Sequence, residues 1–272
     1  MNFKFKIIAI AILALVISCA KNPFTGKSTM ALVPNSEIFP SAFQQYNQFL
    51  SENKVIKGTA DAKRIETIGT KIKTASERWL TANGHADYLD GYAWEYKLVD
   101  SKEVNAWCMP GGKIVFYTGI LPICKDDAGI AAVMGHEVAH ALANHGQQRM
   151  SAGLLQQLGA VGTQLAVGNK DPQTQALIMQ AYGVGSQVGG MLPFSRAHES
   201  EADMIGFTLM AIAGYDPINA VKVWERMAAN SGGQAPPEIL STHPSNQTRI
   251  NELTALIPKA KAEAAKFGVT FK

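Results

Sequence analysis

Asp126-Asp127-Ala128-Gly129-Ile130-Ala131-Ala132-Val133-Met134-Gly135-His136-Glu137-Val138-Ala139-His140-Ala141-Leu142-Ala143-Asn144-His145 is the stretch on which the fold turns. Two acidic residues open it, where they favour a helix start, and Ile130, Val133, Met134, Val138 and Leu142 make it strongly apolar. A helix is predicted from Asp126 to about His145. Within it His136-Glu137-Val138-Ala139-His140 is an HExxH. Positions i and i+4 of a helix stack on one face, so both imidazoles can reach one ion. Tetrahedral zinc accepts imidazole nitrogen, and a catalytic zinc site keeps one position for water. Glu137, one step round from His136, is placed to take a proton from that water without binding the metal.

Zinc needs a third protein ligand. The metzincin pattern requires glycine at position 143 and histidine at 146; Ala143 and Gly146 stand there, which excludes it. His145 falls about 140° off the ligand face of a continuous helix and reads as an exposed helix-end residue. Distant acids remain. Ser195-Arg196-Ala197-His198-Glu199-Ser200-Glu201-Ala202-Asp203 reads as the start of a helix carrying three carboxylates. Glu199 and Asp203 are four apart and share a face, whereas Glu201 points roughly 200° away from Glu199. A shared face suits a ligand plus an outer carboxylate that orients a ligand histidine. Acids that merely favour a helix N-terminus would give the same spacing.

The flanks read as follows. Lys4 and Lys6 precede an unbroken apolar run from Ile7 to Ile17, too short to span a bilayer and of the size of a secretory signal core. It ends in Val16-Ile17-Ser18-Cys19, which resembles a bacterial lipobox. Residues 1–18 are therefore expected to be a lipoprotein signal peptide, with lipid on Cys19 and a lipid-anchored tether over 19–34. Residues 35–272 are read as one domain. Ala20 after the cysteine favours the outer membrane, with the protein facing the periplasm. Cys108 and Cys124 either pair in that oxidising compartment or remain buried thiols. At 47% hydrophobic and 17% charged residues the chain holds a sizeable core. Its formal charge of +3 comes without a basic cluster, which argues against a nucleic-acid partner.

Helices are predicted near Glu37–Glu52 and Thr59–Leu80, the second with Ile65, Ile68, Ile72, Ala75 and Trp79 along one face. Tyr92–Val99, Asn105–Met109 and Lys113–Tyr117 read as strands, the last two joined by Pro110-Gly111-Gly112. Further helices are expected near Ser151–Val167, Thr174–Gln187, His198–Ala213, Pro217–Ala229 and Asn246–Ala264. Gly183, Gly185, Gly189 and Gly190 mark a flexible stretch ending at Pro193, read as a lid over the metal. The fold class is α+β: a mainly helical zincin-type domain with a small sheet beside the active-site helix. Zinc endopeptidases commonly hold substrate against a sheet edge, and Asn105-Ala106-Trp107 is the expected edge strand.

The HExxH, Ser195-Arg196-x-x-Glu199-x-x-x-Asp203, Asn105-Ala106 with Pro110-Gly111-Gly112, and Thr242-His243-Pro244 with Arg249 together resemble the HtpX/CAAX-prenyl-protease superfamily of zinc metallopeptidases. Asn22-Pro23-x-Thr25-Gly26 adds a resemblance to its soluble periplasmic lipoprotein branch. The resemblance implies one zinc per subunit on His136, His140 and Glu199, with Asp203 as the outer acid. It makes His243 an intermittent fourth ligand or a stabiliser of the tetrahedral intermediate, supported by Arg249. Multispanning relatives differ in that no segment here is both long and apolar enough to span. Larger periplasmic relatives add a C-terminal helical-repeat module not expected here. The expected activity is zinc-dependent endoproteolysis of misfolded or unassembled cell-envelope proteins. The alternative is a chaperone-like lipoprotein that binds such proteins with proteolysis latched or minor. A structural zinc protein would leave Glu137 unexplained.

Overall fold

The computed structural model describes residues 19–230 and 247–271. The signal-peptide reading and Thr242-His243-Pro244 lie outside the described residues. Helix α1 (Asn35–Glu52) and helix α2 (Ala60–Ala82) come first. Thr59 caps α2 by accepting a hydrogen bond from the Ala62 amide, and Ile65, Ile68, Ile72, Ala75 and Trp79 are buried as the spacing requires.

Strands β3 (Val55–Ile56), β4 (Glu95–Val99), β5 (Ala106–Met109) and β6 (Lys113–Tyr117) form one mixed sheet in the order β3-β4-β6-β5. β4 and β6 run parallel, and β5 returns antiparallel to β6 with Trp107 opposite Val115. The return needs Gly111 and Gly112, both at positive φ, where a Cβ would strike Phe43 and Trp94 respectively. The sheet has one strand more than expected, because the two residues of β3 are too few to show an alternation.

After a short helical turn, α3 (Leu121–Cys124), comes the central helix α4 (Asp127–Leu142). Asp126 caps it through the Gly129 amide. Every residue from Gly129 to Leu142 is buried, so α4 is covered on all sides rather than amphipathic. Full burial of Ile130, Met134 and Leu142 contributes about 1.5–3 kcal/mol each. Then follow α5 (His145–Val167), α6 (Pro172–Ser186), α7 (Leu192–Ile212), α8 (Ile218–Asn230) and α9 (Gln247–Ala265), of which α5, α7 and α8 pack on α4, α6 packs on α5, and α9 packs on α7 and α8. The fold is α+β and mainly helical, with β5 packed against α4. No helix among the described residues is long and apolar enough to cross a membrane.

Two expectations are corrected and one open alternative is decided. The stretch read as a tether is structured: β1 (Cys19–Lys21) and β2 (Ser28–Met30) form a hairpin, and Asn22 is buried. Phe24 stacks on Trp79 of α2 with ring centroids 4.3 Å apart, which docks the hairpin. The glycine-rich stretch is helical, because the turn Gln187–Met191 joins α6 to α7 without a break. A methyl group on Gly183, Gly185, Gly189 or Gly190 would meet nothing within 4 Å, so no other element packs closely against these positions on that side. Cys108 and Cys124 are free thiols, on the sheet and on α3.

Candidate metal centre

α4 and α7 cross where neither has a side chain. A Cβ on Gly135 would lie 2.8 Å from the Gly206 carbonyl oxygen, and one on Gly206 would lie 2.9 Å from the Gly135 backbone. That close approach sets His136 and His140 on α4 against Glu199 and Asp203 on α7. The two glycines are structural residues that the sequence analysis did not single out.

The donor atoms converge. His136 Nε2 lies 3.1 Å from His140 Nε2, and each is 3.3 Å from one oxygen of Glu199. For metal–ligand bonds of 2.0–2.1 Å, the edge of a tetrahedron is about 3.3–3.4 Å. Two imidazole nitrogens and a carboxylate at that spacing fit a zinc ion. Glu137 follows His136 on α4 and is buried beside this set.

The surroundings hold the donors in place. Asp203 Oδ1 lies 2.9 Å from His136 Nδ1, the nitrogen turned away from the other donors. Arg249 of α9 donates two hydrogen bonds to Asp203, at 2.8 and 2.9 Å. A third arm of the guanidinium reaches Glu199 at 3.3 Å, and its plane lies 3.8 Å over the Trp224 ring. Arg249 was expected to support His243, which lies outside the described residues; what Arg249 is seen to hold is the two α7 carboxylates. Burial works to raise the Asp203 carboxyl, but the Arg249 charge and the His136 contact outweigh it and hold it below its usual range. Burial likewise opposes the charged form of His136, yet Asp203 and Glu199 together raise it to about 9 in the metal-free state.

His145 is a correction. It is not an exposed helix-end residue but 0% exposed. The helix does not continue through it: Asn144 takes a left-handed conformation (φ 54°) between α4 and α5 and turns the chain back. Asn144 is fixed there by Asn35, which donates to it, and by Tyr88, which accepts from it. His145 Nδ1 thereby comes to 2.8 Å from His140 Nδ1, and its Nε2 to 3.2 Å from Glu201. Glu201, set aside as pointing away from Glu199, is a buried partner of the same centre. Burial lowers the His145 imidazole below its ordinary range, only partly offset by Glu201.

The expected edge strand divides. Trp107 faces away from the metal centre, edge-on to Tyr46 and Phe49 of α1, while its indole N–H donates to the Tyr117 hydroxyl. Asn105 accepts from the Tyr117 amide. Ala106 and Cys108 face α4, and Cys108 lines a small hollow with Pro110 and His140. Burial, with the nearby Glu137 charge, pushes the Cys108 thiol well up, so it is not a reactive thiolate. A groove of about 500 Å³ continues past Met109 and Pro110, between α1 and the start of α5.

The sequence profile of peptidase family M48 matches residues 70–257, which include every donor described above. The chain belongs to peptidase family M48. This M48 chain is 35% identical over 204 residues to mitochondrial metalloendopeptidase OMA1 of Saccharomyces cerevisiae, covering 72% of this chain and 56% of that one. It is 38% identical over 205 residues to the Arabidopsis thaliana protein of the same name, covering 73% and 40%. It is also 29% identical over 164 residues to the beta-barrel assembly-enhancing protease of Escherichia coli, covering 58% and 33%. The M48 chain thus spans about half or less of the length of these relatives.

Proposed function

We propose that the chain is a zinc-dependent endopeptidase that cleaves misfolded or unassembled proteins of the bacterial cell envelope. The observation that carries this reading is the set of 3.1–3.3 Å spacings among His136, His140 and Glu199, with Glu137 adjoining it. A zinc ion held there supplies Lewis acidity and brings the pKa of water toward neutrality. Glu137 takes a proton from the attacking water and passes it to the leaving amine. Asp203 holds the His136 ring, and Arg249 fixes Asp203. His243 is assigned, from the resemblance, to stabilising the oxyanion, a contribution worth about 3 kcal/mol in other hydrolases.

A substrate strand along β5, near Asn105 and Ala106, would be held by backbone bonds that tolerate any sequence. Trp107 would take part through its backbone only. Attachment of lipid to Cys19 would place the enzyme on the periplasmic side of a membrane, most simply the outer one. The likeness to metalloendopeptidases, and to a protease named for enhancing beta-barrel assembly, supports endoproteolysis in the handling of envelope proteins. The test is Glu137→Gln in the purified full chain. It should keep stoichiometric zinc and lose cleavage of unfolded casein; wild-type-like cleavage would refute the mechanism.

A second reading is favoured by α5, where Leu154, Leu158, Val161 and Leu165 stand exposed along one face. That stripe starts about two and a half helical turns along α5 from His145 and suits apolar segments of unfolded polypeptide. In this reading the chain is a chaperone-like lipoprotein with proteolysis latched or minor. Protection of unfolded casein from aggregation that persists unchanged in a chelator would favour it.

A further inference from the structure

His140 presents Nε2 to His136 and Glu199, so a metal bound there leaves its proton on Nδ1. His145 Nδ1, 2.8 Å away, is placed to accept that proton. With Nδ1 accepting, neutral His145 carries its own proton on Nε2, which faces Glu201 Oε2 at 3.2 Å. The other Glu201 oxygen accepts from Asn22 Nδ2 at 3.1 Å and from the Thr25 hydroxyl at 2.6 Å. Each of the four donors in this series, His140, His145, Asn22 and Thr25, meets an acceptor, and the bonds converge on Glu201. His145 is itself held flat against His198, ring centroids 4.0 Å apart, and His198 is tied to Gln148.

We propose that His145 and Glu201 are positioning residues for the ligand His140, and that the N-terminal hairpin locks them in place through Asn22 and Thr25. The two ligand histidines are then supported alike. His136 leans on a carboxylate directly, Asp203; His140 leans on one through an interposed imidazole. Docking of the hairpin becomes part of the metal site, since Phe24 on Trp79 seats the turn that carries Asn22 and Thr25. The inference rests on the zinc reading above.

The experiment measures zinc affinity of the full chain by competition with a chromogenic chelator. It compares wild type, Glu201→Gln, His145→Phe and the double variant Asn22→Ala/Thr25→Val. Loss of an outer partner of this kind weakens metal binding about 10–100-fold. Glu201→Gln and His145→Phe should fall in that range, and the double variant should show a smaller loss in the same direction. Melting of the metal-free proteins separates positioning from folding: a merely structural role lowers the melting temperature and leaves the zinc Kd of the folded protein unchanged. Proton NMR of the zinc form gives an independent signature, a hydrogen-bonded His140 ring N–H resonance that His145→Phe should abolish. Zinc Kd within twofold of wild type in the double variant and in whichever single variants fold would overturn the proposal. A wild-type chain that binds no zinc would overturn the parent reading with it.

Discussion

Gly135→Ala tests whether the α4–α7 crossing builds the metal centre. The new Cβ would sit 2.8 Å from the Gly206 carbonyl oxygen, whereas ordinary contact begins at 3.4 Å. Both sides of the clash are backbone, so no side chain can swing away and the helices must part by about 0.6 Å. Overpacking of this kind costs about 1–3 kcal/mol, and alanine's better helix propensity returns up to about 1 kcal/mol. The net loss of about 1–2 kcal/mol lowers the melting temperature by roughly 2–8 °C in a domain of this size. Glu199 would recede from the two histidines by a similar distance, beyond the roughly 0.5 Å tolerance of a preorganised site. Zinc affinity should therefore fall as well. Differential scanning fluorimetry and chelator competition read both effects. Gly153→Ala on α5 is the control, because its Cβ meets nothing within 4 Å. A Gly135→Ala protein as stable and as tight for zinc as wild type would refute the reasoning.

Two further outcomes are expected. Arg249→Met leaves Asp203 and Glu199 buried without their counter-charge, which costs about 3–5 kcal/mol for a broken buried pair; chemical denaturation should show the loss, and a change under 1 kcal/mol would contradict the assigned role. The third concerns pH. In metal-free protein His136 is raised to about 9, so its contribution to stability is complete below its unfolded value near 6.5 and is lost as pH rises through 9. Chelator-treated protein should lose melting temperature across that window, while Asp203→Asn, which removes a principal cause of the shift, should flatten the loss.

The parts of the centre that lie within one element were legible in the sequence. The i,i+4 spacings of His136 with His140 and of Glu199 with Asp203 follow from helix geometry alone. Their meeting depends on two glycines 71 positions apart in the chain, Gly135 and Gly206, and neither has a local signature. His145 was misplaced because a continuous helix carries it off the ligand face; the left-handed Asn144 breaks that continuity through bonds to Asn35 and Tyr88. Glu201 was set aside by the same single-face reasoning, which does not see a second partner approaching from the N-terminal hairpin. Asn22-Pro23-Phe24-Thr25-Gly26 was recognised as a turn, yet composition does not say where a turn docks. Glycine content likewise suggested a flexible lid where α6 and α7 in fact run on through a helical turn.

The most direct test of the central claim is X-ray absorption at the zinc edge on the purified full chain. The account predicts one zinc per chain, with two imidazoles and oxygen donors at about 2.0–2.2 Å, and loss of that signature in His140→Ala. Sulfur scattering from Cys108 or Cys124, or the same spectrum in His140→Ala, would contradict it.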